Sequence, residues 1–499
     1  MRNIMHHNIK QTDIAKLQPT LLWQWFDRIC AIPHPSYYEE QLACFIVDWA
    51  KSRSLFVERD EVGNVLIRKP ATQGMENRQT VIIQAHIDMV HQSNDGTNHD
   101  FHKDPIQPYL DGDWVTAQNT TLGADNGIGM ASCLALLEST DIAHPNLEIL
   151  LTVEEETSMR GAMLLRKDWL QGDILINTDT EDIGEIYIGC AAGTNVSFNI
   201  PLQYETNRFD DGIQLSLKGL SGGHSGFDIH TTKASAIKLM ARFLMALKQH
   251  FDFQLIDIQG GNAHNAIPRE AVIFLAFFAK DRKKMTAYIK NFEAMLQKEL
   301  AIAEPKLHFL IEEISSKTQS KQIFTSNSTH NVIHALTLLP NGLIRKSDHF
   351  DGVTESSLST GVLKTENNQV CAIILIRTLF DSGRLEIQDK LQSLAELVGA
   401  ELDYFGHYAG WTPDLNSNIT KITKHVYDKL LGDETKIKVV HAGFECGFLK
   451  QNYPHIDMVS IGPTIRYPHS PDEKVHIPSV KIYWELLVKL LENIPLKSN

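Results

Sequence analysis

The chain has 499 residues, 43% of them hydrophobic and 22% charged, the composition of an ordinary folded globular protein. That excludes a disordered chain, a collagen-like fibre and a coiled coil, and at roughly 150 residues per domain it predicts two to four domains, or a large one with an insertion. Lysine and arginine number 47 against 61 aspartates and glutamates, a net charge of −14; a body this acidic offers no general electrostatic footprint to nucleic acid or anionic lipid, so neither is an expected partner.

From Leu21 to Ala50 apolar residues recur at helical spacing, and the Pro33-His34-Pro35 break divides them into two helices. Then the period changes. Asn64 to Arg68 and Thr80 to Ala85 are β-branched runs, the second apolar throughout, as in a buried strand. Ile128 to Leu137 predicts a helix. Leu147 to Val153 and Asp173 to Thr178 predict two further strands, each followed at once by acidic residues. Strands alternating with helices indicate an α/β core with a mostly parallel central sheet flanked by helices.

A second block begins near Gly193. Gln214–Lys218, Ala271–Ala279 and Val370–Arg377 predict strands, and Thr231–Gln249, Met285–Leu300 and Glu386–Val398 predict helices. This succession fits an inserted α+β domain with helices on one sheet face. The helical patterns Asn416–Leu431 and Ile482–Leu491 return to the first block. The expected division is 1–192 and 409–499 for the first domain, with 193–408 inserted. No internal repeat or low-complexity tract is visible, and the polar stretch Ser315–Asn331 is expected to be a surface loop.

The six cysteines (Cys30, Cys44, Cys133, Cys190, Cys371 and Cys446) form no CxxC pair, which argues against a zinc ribbon and for reduced thiols. Met1 to Lys10 carries no apolar run, and nowhere do about 18 uncharged apolar residues follow one another. The expected location is the cytoplasm, with no membrane span and no leader.

Five places end a strand or enter a loop with metal-ligand chemistry: His86-Ile87-Asp88, Asp125-Asn126-Gly127, Glu154-Glu155-Glu156, Asp179 and His469. Residues just past the carboxyl ends of parallel strands converge on one crevice. A two-metal hydrolase needs a bridging carboxylate, terminal ligands for each cation, a carboxylate behind a ligating imidazole, and a further carboxylate as general base. Asp88, two residues beyond His86 in extended chain, lies on the same face to support that ring. Each element also has a bland reading. Three consecutive glutamates are commonly a solvated face, Asp125 can be a helix cap, and a lone His-x-Asp is usually only a polar pair. Their coincidence at strand ends of one fold is what argues for a site, although the three glutamates leave two roles open among three candidates.

These residues, with Thr121–Gly129, Gly222-Gly223-His224-Ser225-Gly226, Asn265–Glu270, Gly443–Gly447 and Ile461–Arg466, resemble the aminoacyl-histidine dipeptidase family. That family lies within the aminoacylase and carnosinase group of dinuclear zinc peptidases. The resemblance runs from about Leu21 to the carboxyl end. It implies a zinc-peptidase catalytic domain interrupted by a lid and dimerisation domain, a homodimer formed through that domain, and two Zn2+ per subunit, Co2+ or Mn2+ being acceptable to the same ligands. Asp125 would bridge the cations, with His86 and Asp179 completing one site and Glu156 and His469 the other. The register of Met159-Arg160-Gly161-Ala162 selects Glu155 as general base and leaves Asp88 behind His86. A cis peptide at Asp125-Asn126 is implied as well.

By the same resemblance, His224 of the partner subunit stabilises the oxyanion, and Asn265 and Arg377 hold the carboxyl end of the substrate. The implied reaction is hydrolysis of unblocked dipeptides, Xaa-His among them, by a metal-bridging hydroxide whose proton passes to Glu155. An N-acyl-amino-acid deacylase or a tripeptide exopeptidase would use the same scaffold, and a non-catalytic binding protein would lack a ligand or the base. Departures from the family pattern are Thr157-Ser158, His264 and Tyr467-Pro468, of which Tyr467 stands beside the ligand histidine.

Overall fold

The computed structural model describes residues 12–314 and 321–497. The segment Met1–Lys10, read above for a leader, lies outside the described residues. Among the described residues no helix is long and apolar enough to cross a membrane.

The chain divides into two compact units, the first made of Met1–Gly189, Trp411–Val439 and Phe444–Asn499, the second of Cys190–Gly410 and Val440–Gly443. The first is built on an eight-stranded sheet. At its centre Val81–His86 runs parallel to both Leu147–Thr152 and Ile174–Asn177, and the last of these runs parallel to Asp457–Ser460. Antiparallel strands Phe56–Arg59 and Val65–Lys69 close one side. Every residue of Val81–His86, Leu147–Thr152 and Ile174–Asn177 is buried, because helices cover the sheet and a crossover between parallel strands must pass over a face. The helix Ala124–Glu138 is buried almost throughout and packs beside Thr20–Cys30. All three central strands end at one edge, where His86, Thr152 and Asn177 stand.

The second unit holds a larger antiparallel sheet with a topological repetition that the sequence does not display. Its strands order as His308–Glu313, Asp211–Lys218, Ala271–Phe277, Phe253–Gly260, Thr354–Glu366, Gln369–Thr378, Ala192–Pro201 and Glu401–Tyr408. The first four, with helices Ala236–Leu247 and Arg282–Glu299, form one βαββαβ module. The last four, with helices Ser326–Leu338 and Asp381–Val398, form another with the same pairing scheme. The two join where Phe253–Gly260 meets Thr354–Glu366. One module is inserted after the first strand of the other, so the repetition is scrambled along the chain. Helices of both modules share one core against the sheet, with Phe243, Phe292, Val332 and Leu391 buried beside Leu215, Ile273 and Ile374.

One expectation is corrected here. Ser315–Asn331 is not a loop in its second half: Gln322–Phe324 is a strand, and Ser326–Leu338 is a helix whose N-cap Thr325 accepts a hydrogen bond from the Ser328 N–H at 3.2 Å. Its first turn is Ser-Asn-Ser-Thr, and its buried apolar repeat begins only at Val332, past the window that looked polar. Residues 315–320 of the stretch lie outside the described residues.

Ile83 is wholly buried at the middle of the central strand. Replacing it with alanine is expected to remove about 3 kcal/mol of stability, seen as a lower urea midpoint; an unchanged midpoint would contradict the burial.

Candidate metal centre

Five chain segments deliver the site. His86 closes the strand Val81–His86 opposite Thr152 in register, the run Glu154–Glu156 follows Thr152 by two residues, and Asp179 lies two residues past Asn177. Asp125 comes from the kinked start of Ala124–Glu138, where Asp125 and Asn126 leave helical geometry and their peptide bond is cis. Four main-chain N–H groups there, of Leu122, Gly123, Ala124 and Asp125, point at the buried Glu473 carboxylate at 2.7–3.3 Å. A carboxylate is well suited to such a helix start, because the exposed N–H groups and the helix dipole both favour negative charge. Gly129 is required one turn later: a Cβ there would run into Asn126 Oδ1 and Thr178 Oγ1. His469 sits in the hairpin between Ile465–Arg466 and Lys474–His476, itself in left-handed backbone with φ 60°.

The distances fall into two triads that share one residue. Asp125 Oδ1 lies 3.3 Å from His86 Nε2, which lies 3.4 Å from Asp179 Oδ1. Asp125 Oδ2 lies 3.3 Å from His469 Nε2, which lies 2.9 Å from Glu156 Oε2. Ligand atoms of His86, Asp125 and Glu156 all lie within 4.8 Å of one another. For bonds of about 2.0–2.1 Å, the edge of a tetrahedral zinc shell is about 3.3–3.4 Å, so most of these spacings match what one ion per triad needs. The imidazole and carboxylate donors are those that zinc, cobalt and manganese accept.

The side chains behind the triads fix their orientation. His86 Nδ1–H donates to the main-chain carbonyl of Asp88 at 3.0 Å, which leaves Nε2 bare toward Asp125 and Asp179. The Asp88 carboxylate is farther from the ring, at 3.4 Å. It accepts instead from Ser36 Oγ at 2.8 Å and from the main-chain N–H groups of Glu155 and Glu156 at 2.9 and 3.2 Å. It therefore anchors the loop that carries both glutamates. Of the three glutamates, Glu154 is taken up by Arg160 at 2.8 Å, Glu156 faces His469, and Glu155 is left beside them. Asn126 Nδ2 donates to Asp179 Oδ1.

Burial and the neighbouring charges perturb every group. Burial and Asp125 push Glu156 up to about 7, and burial with Glu156 holds Glu155 well above the usual carboxylate range. Burial also raises Asp179. Asp125 goes the other way: burial opposes its charge, but hydrogen bonds from His469 and His86 outweigh that and hold it ionised. Burial would lower both imidazoles, yet their carboxylate neighbours win, and His469 is lifted to about 11. Perturbed groups massed at strand ends are the signature of a functional centre.

His224, Asn265 and Arg377 lie in the second unit. The Gly-rich segment is a short strand, Gly223–His224, paired with Ala266–Ile267, and the Ser225 N–H donates to the Asn265 carbonyl at 2.8 Å. That ladder sets His224 beside the exposed Asn265. Arg377 is 4% exposed, bonded to the Tyr408 hydroxyl and, at 3.4 Å, to Ser225 Oγ, with no carboxylate in ion-pair range among the described residues.

Sequence reasoning missed Glu473, which carries no signal beyond following His469 closely, and Glu181, which burial and the charges of Asp125 and Asp179 lift to about 8. It also passed over Glu445, quoted only within Gly443–Gly447.

Residues 215–304 match the M20-type peptidase dimerisation domain, a span that falls within the first of the two modules. The chain is 49% identical over 487 residues to the cytosol non-specific dipeptidase of Escherichia coli (strain K12), covering 97% of this chain and 100% of that protein. The crystal structure of aminoacylhistidine dipeptidase from Vibrio alginolyticus superposes with a TM-score of 0.88 at 49% identity, over 98% of this chain and 99% of that one. Aminopeptidase PepT from Bacillus cereus shares the fold, with a TM-score of 0.55 at 14% identity over 96% of this chain and 99% of that one. A peptidase dimerisation module joined to a parallel-sheet unit with clustered imidazoles and carboxylates defines an M20-type metallopeptidase. The chain belongs to the family of cytosol non-specific dipeptidases, the aminoacyl-histidine dipeptidases.

Ions bind the neutral imidazole and the ionised carboxylate, so binding must expel the protons that His469 and Glu156 hold near neutrality. Affinity for zinc is therefore expected to rise from pH 5.5 to 8. Calorimetric titration in two buffers of different ionisation enthalpy should show net proton release, and no release would contradict the placement of these two groups.

Proposed function

We infer that this protein is a cytoplasmic dinuclear-metal dipeptidase that hydrolyses unblocked dipeptides, Xaa-His among them, and works as a homodimer through its second unit. The observation that carries the reading is the Asp125 carboxylate, each oxygen of which faces its own imidazole while a second carboxylate stands by each ring. The names of the two relatives at 49% identity agree with it, as does the dimerisation match.

His86, Asp125 and Asp179 would hold one Zn2+, and Glu156, Asp125 and His469 the other, with Co2+ or Mn2+ fitting the same donors. When bound, the cation pair supplies Lewis acidity, acidifying a water and polarising the scissile carbonyl. Glu155 accepts the proton of that water and returns it to the leaving amine. Its burial beside Glu156 suits it to hold a proton between the two transfers. Asp88 keeps the Glu155 main chain in place throughout.

The second unit supplies recognition. His224 Nδ1 accepts from the N–H groups of Gly226 and Phe227, both at 3.1 Å, so its proton sits on Nε2. Burial and Arg377 lower its pKa to about 4. It is thus a neutral donor near neutral pH, and as the partner subunit's His224 it stabilises the oxyanion. Arg377 is a buried cation with no counter-ion among the described residues, and the carboxylate of the substrate completes it with help from Asn265.

Glu155→Ala is expected to retain both ions and lose about 10²–10⁴ of turnover, whereas Asp125→Ala should lose the metal itself, as elemental analysis would show. A fully active Glu155→Ala enzyme would remove the base from its role. Chelation should abolish dipeptide hydrolysis and added zinc restore it, with N-acylated amino acids left uncut. Hydrolysis that survives complete chelation would overturn the metal reading, and preference for the acylated series would turn the protein into a deacylase.

A further inference from the structure

One layer beneath the ligands, the central sheet departs from the rule for buried parallel strands. Gln84, Thr152, Asn177 and Ser460 are all 0% exposed, at positions where such strands ordinarily pack valine, isoleucine and leucine. Gln84 lies two residues before His86, and the register pairs Gln84 with Asn177 and Asn177 with Ser460. Buried amides are costly unless fully bonded, and these are bonded in one continuous chain. Ser460 Oγ donates to Asn177 Oδ1. Asn177 Nδ2 donates to Gln84 Oε1 at 2.5 Å. Gln84 Nε2 in turn donates to Glu445 Oε2 at 2.6 Å, and Thr152 Oγ1 donates to the same oxygen at 2.8 Å.

Glu445 opens the helix Glu445–Asn452 and is itself 0% exposed. Its other oxygen, Oε1, is buried with no hydrogen-bond partner among the described residues. Oε2 faces two donors at once, Gln84 Nε2 and Thr152 Oγ1, and so stands as the acceptor of both. An acceptor shared by two donors at one end of a chain of amides has a directional consequence. Gln84 must turn its NH2 toward Glu445, so its carbonyl faces Asn177. Asn177 must then turn its own NH2 toward Gln84, which leaves Asn177 Oδ1 to accept the main-chain N–H of Asp179 at 3.1 Å.

We propose that Glu445 is a positioning residue of the metal centre: through Gln84 and Asn177 it sets the direction of a buried hydrogen-bond chain that ends on the main chain of Asp179. The Glu445–Thr152 bond ties the same carboxylate to the residue that stands in register with His86. Glu445 thus orders two of the three strand ends that present ligands. It is 0% exposed and acts through these neighbours. The proposal rests on the metal-centre assignment above.

The test compares Glu445→Gln, Glu445→Leu, Gln84→Leu and the Glu445→Leu/Gln84→Leu double variant in the full chain. Each is followed by zinc stoichiometry, by competition of zinc with a chelator, and by kcat and KM on one dipeptide. Glutamine keeps an accepting oxygen in place and should stay within about threefold of wild type. Leucine should weaken retention of zinc by about 10–100-fold, as loss of a partner behind a ligand commonly does, and lower kcat with KM unchanged. Far-ultraviolet circular dichroism should remain that of the wild type. Gln84→Leu should reproduce the loss, and the double variant should lose no more than either single one, because both break one chain. Should Glu445→Leu not fold, Gln84→Leu and Glu445→Gln carry the same comparison. The proposal fails if Gln84→Leu holds zinc as tightly as wild type, if the two losses add, or if glutamine proves as damaging as leucine. A wild-type protein that binds no zinc would instead overturn the metal-centre assignment.

Discussion

One carboxylate, that of Asp125, has to serve two donor sets at once. Its oxygens point apart, each 3.3 Å from a different imidazole, and much of the surrounding chain exists to make that possible. A regular helix would carry the side chain round with its own turn; here the helix starts with a kink. The helix start leaves four N–H groups without helical partners, and the buried Glu473 accepts them. Asn126, displaced by the same kink, reaches Asp179, and only a glycine at 129 leaves room for it.

The negative charge gathered around Asp125 has to be balanced. Asp125, Glu155, Glu156, Asp179 and Glu181 lie close enough to shift one another, and against them stand two imidazoles. Such a set takes up protons or cations, whichever are offered. The centre is costly to fold and receptive to ions for the same electrostatic reason. Support from below is polar too: the Glu445 chain and the Asp88 carboxylate hold main-chain N–H groups, where a purely apolar layer would leave the ligand loops free to shift.

The α/β class, most of the long helices and the central strands of the first sheet were legible, because burial imposes period; strands such as Phe253–Gly260 and Thr354–Glu366 were not. Val81–His86 is apolar at each of its first three positions and Ala236–Leu247 repeats at helical spacing, so the physics of covering a sheet is written into both. The helix Ser326–Leu338 was not legible, since its first turn consists of capping residues that look like a loop. Nor was the doubled βαββαβ module of the second unit. Its first strand, Ala192–Pro201, is separated from its helix Ser326–Leu338 by the whole of the other module, and packing constrains only which faces are apolar, leaving the two copies free to diverge.

At the site, the residue types and their strand-end positions could be read from the sequence, and the resemblance to a family ordered them into roles. By itself, then, the sequence determined the alternation of strands and helices and which acidic and imidazole groups stand at strand ends, because hydrophobic period is a local property of the chain. Only the tertiary structure decided that Glu154 goes to Arg160 while Glu156 meets His469, that Asp88 holds the glutamate loop more closely than the imidazole ring, and that Glu473 and Glu445 belong to the centre. Those partnerships join residues up to 361 positions apart, and hydrogen bonds of 3 Å are set by the packing of whole elements, which no local pattern encodes.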